Sequence, residues 1–272
     1  MDNQHLVIIR GGGDLATGTI HRLWAAGLKL LVLEAEHPAA IRRQVAVSEA
    51  VYEGQATVED MTAVLVNDVE SMEKAWTQGN VPLIVDPAGT YIERLKPLAV
   101  VDAILAKRNL GTTKDMAKLT IGLGPGFTAG KDVDAVVETR RGHNLGRIIW
   151  EGSAEPNTGI PGIIGGYGAE RVIHADVDGV MKNVRKIGDI VEQGETIAYI
   201  QDGLSESPVP ATITGIIRGL IRDGYPVTRG FKIADIDPRK DQLKNCFTIS
   251  DKARCIAGSV LELVMAEIWK RN

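Results

Sequence analysis

An apolar run that stops on three glycines and passes at once into a helical pattern constrains this chain most. Residues 6–18 read Leu-Val-Ile-Ile-Arg-Gly-Gly-Gly-Asp-Leu-Ala-Thr-Gly, and Ala16, Ile20, Leu23 and Trp24 then recur at helical spacing. Strand, tight turn and helix open a βαβ unit. Gly11, Gly13 and Ala16 have the G-x-G-x-x-A spacing. In that motif one glycine makes the turn, a second admits a diphosphate to the backbone, and a small third residue lets helix and strand pack closely. The helix start offers free N–H groups and the positive end of its dipole. A second apolar run, Leu28 to Leu33, ends at Glu34, 21 residues after Gly13. A carboxylate at the end of the second strand is suited to a ribose hydroxyl. Gly11, Gly12, Gly13, Asp14 and Glu34 form the first set of candidate ligand-binding residues. The plain alternative is a tight turn in an α/β core that binds nothing.

Composition narrows the classes. A net charge of −4 argues against electrostatic binding to nucleic acid or an acidic membrane surface. No apolar run reaches the roughly 18–20 residues that span a bilayer. The start, Met-Asp-Asn-Gln-His, has neither a basic region nor a signal-peptide core. Two cysteines, Cys246 and Cys255, make no disulfide framework, so a cytoplasmic setting is expected. Cys255 falls in an expected helix, where a small buried residue is the simpler reading than a nucleophile.

Between the first strands and the middle of the chain, Arg42-Arg43 follows the second strand, as a phosphate grip or as a solvated helix start. Ala46 to Val51 reads as strand or short helix, and Val69 to Gln78 as a helix with Met72 and Trp76 on one face. Val81 to Val85 is a strand ending at Asp86-Pro87. Val100 to Leu105 is another, with Asp102 expected near its end because a buried carboxylate is costly.

A second glycine-rich stretch begins Leu119-Thr-Ile-Gly-Leu-Gly-Pro-Gly-Phe-Thr-Ala-Gly130. Gly124, Gly126, Phe127 and Thr128 are read as an anion-binding loop stiffened by Pro125. It lacks the lysine of a P-loop. Asp132 to Thr139 is an expected strand, followed by the basic turn Arg140-Arg141-Gly142-His143-Asn144-Leu145-Gly146 and a strand from Arg147 to Trp150. Arg140, Arg141 and His143 complete the candidate set; the alternative is a hairpin turn with solvated arginines. Asp132, Asp134, Glu138 and His143 match no compact metal spacing, so no metal site is expected. No G-x-S-x-G serine occurs. The glycine- and proline-rich segment 152–168, with Pro156-Asn157-Thr158-Gly159, reads as a long ordered loop or a crossover.

Residues 177–200 and 213–236 repeat at an offset of 36, with Gly179 matching Gly215, Gly188 Gly224, Val191 Val227, Gly194 Gly230 and Ile200 Ile236. Each copy reads as short strands, and neither alone can bury a core. Ile187-Gly-Asp-Ile-Val-Glu-Gln-Gly-Glu-Thr-Ile-Ala and Ala211-Thr-Ile-Thr-Gly-Ile-Ile resemble the barrel-sandwich hybrid of biotinyl and lipoyl carrier domains. Those carriers modify a lysine on the hairpin between the halves. Gln201 to Pro210 contains none, so no biotin or lipoyl attachment is expected, and docking is the expected role. A final helix, capped by Ser250 or Asp251, runs through Ala253, Ile256, Val260, Leu263, Val264 and Ile268. Lys252 and Arg254 near its start face either an anion or solvent.

The expected fold class is therefore α/β. A Rossmann-like parallel-sheet domain over residues 1–168 binds a nucleotide or cofactor. A small all-β, barrel-sandwich-hybrid-like module covers 169–245, and a helix over 246–272 returns to the first domain. Arg-Gly-Gly-Gly-Asp-Leu-Ala-Thr-Gly (10–18), Gly-Pro-Gly-Phe-Thr-Ala-Gly (124–130) and Glu-Thr-Arg-Arg-Gly-His-Asn-Leu-Gly-Arg (138–147) carry a wider resemblance, with Pro-Asn-Thr-Gly (156–159), Asp-Ile-Asp-Pro-Arg (235–239) and Ser-Asp-Lys-Ala-Arg (250–254). Together they resemble the YqeB-type accessory family of selenium-dependent molybdenum hydroxylase systems. The resemblance implies a role in maturing molybdenum hydroxylases of the xanthine dehydrogenase kind, and supplies no catalytic residues. Its partners would be hydroxylase subunits or other maturation proteins, with homo-oligomers compatible. Its ligand would be small and phosphorylated: the molybdenum cofactor, whose pterin carries a phosphate, or a dinucleotide. Two rivals stand beside it. One is an NAD-dependent oxidoreductase with His143 as proton donor; the other is a non-catalytic assembly scaffold.

Overall fold

Strands that are aliphatic along their whole length must be covered on both faces, which is the signature of a parallel sheet flanked by other layers. A computed structural model describes residues 5–157, 159 and 162–270 and has this arrangement in the first of two units. That unit comprises Met1–Pro38, Ala46–Asn157 and Ile249–Asn272; the second comprises Ala39–Val45 and Thr158–Thr248. Thr158 of the Pro-Asn-Thr-Gly stretch and Met1 to Gln4 lie outside the described residues.

The first unit runs β1 (Leu6–Arg10), α1 (Asp14–Ala25), β2 (Lys29–Glu34), α2 (Ala50–Glu53), β3 (Gln55–Val58), β4 (Met61–Leu65), α3 (Val69–Thr77), β5 (Val81–Val85), α4 (Thr90–Leu95), β6 (Ala99–Asp102), β7 (Leu119–Leu123), β8 (Ala135–Val137) and β9 (Ile148–Ile149), and ends in α5 (Asp251–Trp269). Its nine-stranded sheet has the order β3-β4-β5-β2-β1-β6-β7-β8-β9. The seven strands from β4 to β8 in that order pair in parallel, and β3 and β9 close the edges antiparallel. The sheet grows from β1 through β2 to β5, then reverses through β6 to β8. Outside the carboxyl ends of the strands at such a reversal lies the usual ligand crevice of open α/β sheets.

α5 packs on α1, and a Cβ added at Gly18 would sit 2.7 Å from the Ala253 Cβ, so only glycine permits this crossing. Ala253, Ile256, Ala257, Val260, Leu263, Val264 and Ile268 bury the apolar stripe of α5. Its N-cap is Ser250, which accepts from the Ala253 N–H at 3.2 Å. α3 is capped by Asp68, whose carboxylate takes the Ser71 N–H at 2.7 Å. Met72 is buried, and the Trp76 indole donates to Leu30 O at 2.6 Å.

Several elements are shorter than their aliphatic runs suggest. The run beginning at Val100 leaves the sheet after Asp102, because Leu105 turns the chain with a φ of 60°. Asp132 to Thr139 contributes only Ala135–Val137, since Asp134 turns its carboxylate onto the Thr120 N–H and hydroxyl, both at 2.8 Å. Residues 46–51 form a 3-10 turn, Val47–Glu49, running into α2.

The second unit contains β10 (Val172–His174), β11 (Gly179–Asn183), β12 (Ile190–Val191), β13 (Thr196–Asp202), β14 (Ser205–Pro210), β15 (Gly215–Leu220), β16 (Pro226–Val227) and β17 (Lys232–Asp237). They make two four-stranded sheets, β10-β17-β15-β12 and β14-β13-β11-β16. The offset of 36 returns as structure. β11 and β15, β12 and β16, and β13 and β17 start 36 residues apart. The copies interlock, since β12 pairs with β15 and β16 with β11. A Cβ at Gly179 would meet Gln201 O at 2.4 Å, and one at Gly215 would meet Asp237 O at 2.3 Å, the same close approach in each copy. The division between units falls after Asn157 rather than at 168. Ala39–Val45 joins the β unit because Ile41 packs on its core and accepts from the Leu220 N–H at 2.9 Å.

Candidate functional site

The glycine turn sits at the carboxyl end of β1, over a buried polar lock. Arg10 ends β1 and Asp102 ends β6, 4% and 2% exposed. Arg10 Nη1 donates to the Thr112 hydroxyl at 2.5 Å, which donates to Asp102 Oδ2 at 2.6 Å. Arg10 Nη2 reaches the carbonyls of Pro87 and Leu110 at 3.3 and 3.4 Å. This lock ties β1 to β6 where the sheet order reverses.

Above it, Gly11 and Gly12 are buried and Gly13 and Asp14 are half-buried. Gly12 donates its N–H to Glu34 Oε2 at 2.6 Å and accepts from Ser48 N at 2.9 Å. Glu34 Oε1 takes the Ala35 N–H at 2.7 Å. Gly13 is open: a Cβ there would meet nothing within 4 Å. α1 starts at Gly13, which as glycine carries no capping side chain, in contrast to α3 and α5, where Asp68 and Ser250 cap the first turn.

Burial raises the Glu34 pKa above the ordinary glutamate range, and the Ala35 and Gly12 N–H groups only partly offset it. A carboxyl whose folded pKa is raised takes up its proton in the native state first. Its contribution to stability is therefore most favourable below its raised pKa and falls as pH rises through it. Urea midpoints followed from mildly acidic to neutral pH are expected to decline less in Glu34→Gln than in the wild type. Parallel profiles would show that Glu34 is not the titrating group.

The second glycine loop is more tightly packed than an open nest. A Cβ at Gly124 would lie 2.5 Å from the Thr139 hydroxyl, and one at Gly126 2.7 Å from Arg108 Cα. Phe127 is buried against Gly122, and the Thr128 N–H is taken by Asp132 Oδ2 at 2.9 Å. Arg140 pairs with Glu155, and Arg141 grips Asp251 with two bonds of 2.7 and 2.8 Å, both on the surface. Buried Glu138 takes the N–H groups of Arg140 and Glu155 at 2.7 and 2.8 Å. His143 is exposed on the turn. Asp132, Asp134 and Glu138 are thus each engaged separately. Arg42 and Arg43 belong to the second unit, where they donate to Asn245 O at 3.0 Å and Leu220 O at 2.9 Å.

Lys252 is the cation that sequence reading placed least well. It is half-buried at the start of α5. Desolvation, then the neighbouring Arg141, pushes its pKa down, while Asp14, Glu138 and Asp251 pull it partly back. Among the described residues no hydrogen bond or ion pair within 4 Å holds its amine. Asp14, the first residue of α1, is among the carboxylates that raise its pKa, and the packing of Ala253 on Gly18 sets the start of α5 against α1. Lys107 and Arg108 are two further cations of this unit. They lie exposed after β6, and Lys107 has a φ of 62°, a conformation costly for a side chain.

No helix among the described residues is long and apolar enough to cross a membrane. No family model matches the chain. Among solved structures it is similar to the ectoine utilization protein EutE (DoeB) of Ruegeria pomeroyi in its product-bound form, with 11% identity, a TM-score of 0.27, and 86% and 85% of the two chains covered. It is likewise similar to a succinylglutamate desuccinylase/aspartoacylase of Rhodobacter sphaeroides, with 14% identity, a TM-score of 0.29 and 86% of each chain covered. Likeness this faint carries no argument about chemistry. In sequence the chain is 51% identical over 260 residues to the uncharacterized protein YqeB of Escherichia coli strain K12, across 96% of this chain. It spans about half of that relative, 47% of its length, and this link to a YqeB protein is the kinship that the comparisons support.

Proposed function

We propose that the first unit is a Rossmann-like domain that binds a small phosphorylated ligand at the carboxyl edge of its sheet. The order β5-β2-β1-β6-β7-β8 supports this, since it follows the 3-2-1-4-5-6 order of dinucleotide-binding sheets. The observation that carries the reading is the open space at Gly13, where α1 starts, on the helix against which α5 packs with the half-buried Lys252 in its first turn. Phosphate would accept from first-turn N–H groups and neutralise Lys252, whereas Arg141 is already paired with Asp251. On this reading the Gly13 turn, the Asp14 backbone N–H and the Lys252 amine would hold the group from one side, while Gly124 and Gly126 are engaged in packing. For the chain's cellular role, the resemblance of its motifs favours an accessory protein of molybdenum hydroxylase maturation, the ligand being the molybdenum cofactor or a nucleotide related to it. The second unit, read as a barrel-sandwich hybrid, would dock to a partner protein; its β13–β14 hairpin ends in a wholly exposed Leu204.

Gly13→Val tests the site cleanly. Gly13 has a φ of −65° and a ψ of −179°, which valine adopts, and there is room for its side chain. The ligand-free melting temperature is expected to fall by no more than about 4 °C, since valine is a poorer N-cap than glycine by about 1 kcal/mol. Calorimetry with pyrophosphate, NAD, ATP, cytidine nucleotides and isolated molybdenum cofactor should show binding to the wild type and none to the variant. A wild type that binds none of them refutes the reading.

A further inference from the structure

A second cluster lies elsewhere in the same unit, independent of the phosphate reading. β3 and β4 are joined by a two-residue turn, Glu59-Asp60, where hairpins favour glycine or asparagine. Both residues are acidic, and Glu59 adopts a φ of 56°. Local turn chemistry and charge repulsion oppose this choice, and such conflicts are expected where function overrides local preference. Both carboxylates meet His21 on α1. The His21 Nε2 lies 2.7 Å from Asp60 Oδ1 and 3.9 Å from Glu59 Oε2, and the three ligand atoms all lie within 4.8 Å of one another.

We propose that His21, Glu59 and Asp60 bind a divalent transition-metal ion of the zinc class. One imidazole nitrogen and two carboxylate oxygens are a borderline donor set that suits zinc better than magnesium or calcium. At zinc bond lengths, tetrahedral ligand atoms stand roughly 3.4 Å apart, and the 2.7 and 3.9 Å separations bracket that value. Small side-chain rotations would equalise them. Glu59 is already oriented: its Oε1 accepts from Ile249 N at 2.9 Å and Arg254 Nη2 at 2.6 Å, while its Oε2 accepts from Arg254 at 2.9 Å. An ionised carboxylate has about four lone-pair sites, so Oε2 retains one for a metal. Outer partners of this kind commonly fix a ligating carboxylate. Asp60 is largely exposed, which leaves an entry path and room for water in the fourth position. The ion would staple the β3–β4 turn to α1.

Titration of the metal-free chain with zinc chloride, followed by calorimetry, tests this, with cobalt(II) absorption reporting the ligand set. One ion per chain is expected, with magnesium failing to compete. His21→Ala and Asp60→Asn should each weaken zinc binding by at least about tenfold, the lower range for loss of an outer-shell partner. Cys255→Ser should bind as the wild type does, which separates this site from the exposed thiol. Asp60→Asn alters a surface side chain and keeps the fold intact if His21→Ala does not. Failure of the wild type to bind zinc, or wild-type affinity in Asp60→Asn, overturns the assignment.

Discussion

Asp102→Ala is expected to destabilise the chain by about 3–5 kcal/mol, the range for leaving one partner of a buried ion pair without the other. The reason is specific to Arg10. Its side chain is 5% exposed, and its anionic counterpart reaches it through Thr112 and directly at 3.6 Å. With the carboxylate gone, only two long carbonyl contacts and a hydroxyl remain to solvate a buried charge. The Ile104 N–H, held by Asp102 Oδ1 at 3.1 Å, also loses its acceptor. At about 2–4 °C per kcal/mol for chains of this size, the melting temperature should fall by on the order of 10 °C. Urea unfolding of wild type and variant gives the free energy directly. Arg10→Met with Asp102→Leu should recover much of the loss, because removing both charges removes the desolvation penalty. A loss under about 1 kcal/mol for Asp102→Ala would show that water reaches the lock.

Lys252→Met should separate folding from binding. Desolvation and Arg141 depress the lysine pKa, so the unfolded chain holds this proton more firmly than the folded one. For a cation shifted downward, stability rises with pH between the depressed value and the ordinary lysine range, and the penalty is present at neutral pH. Methionine removes the charge and keeps the stem packed. The ligand-free variant is therefore expected to melt above the wild type at pH 7. In saturating phosphate ligand the order should invert. A ligand at about 100 times its dissociation constant adds about 2.7 kcal/mol to the wild type, and the variant forfeits most of that. Thermal melts with and without pyrophosphate make the comparison. A variant that melts lower in both conditions would assign Lys252 to holding Asp14 and Glu138 rather than ligand.

These two residues divide what could be read early from what could not. β1, the glycine turn, α1 and β2 were legible because each is a local pattern: a run, a break, a period of 3.6. The apolar stripe of α5 is of the same kind, and the 36-residue offset needed only self-comparison. Asp102 was placeable near a strand end because burying a carboxylate is costly. What no local pattern encodes is which partner a charged side chain finds across the fold. Arg141 meets Asp251, 110 residues away, and Arg140 meets Glu155. Arg42 and Arg43 were read beside the first strands, yet Ile41 carries them into the β unit through its packing on a core formed later in the chain. Gly124 and Gly126 were read as a nest; Thr139 and Arg108 fill the space. Glu34 bonds the glycine turn itself. Lys252 comes near Asp14 because Gly18 lets α5 lie close on α1. His21 meets Glu59 and Asp60 because the β3–β4 turn comes to the exposed side of α1. Periodicity and turn chemistry determine elements, because they act over a few residues. Pairings depend on how the elements pack, and packing is decided by the whole buried surface at once.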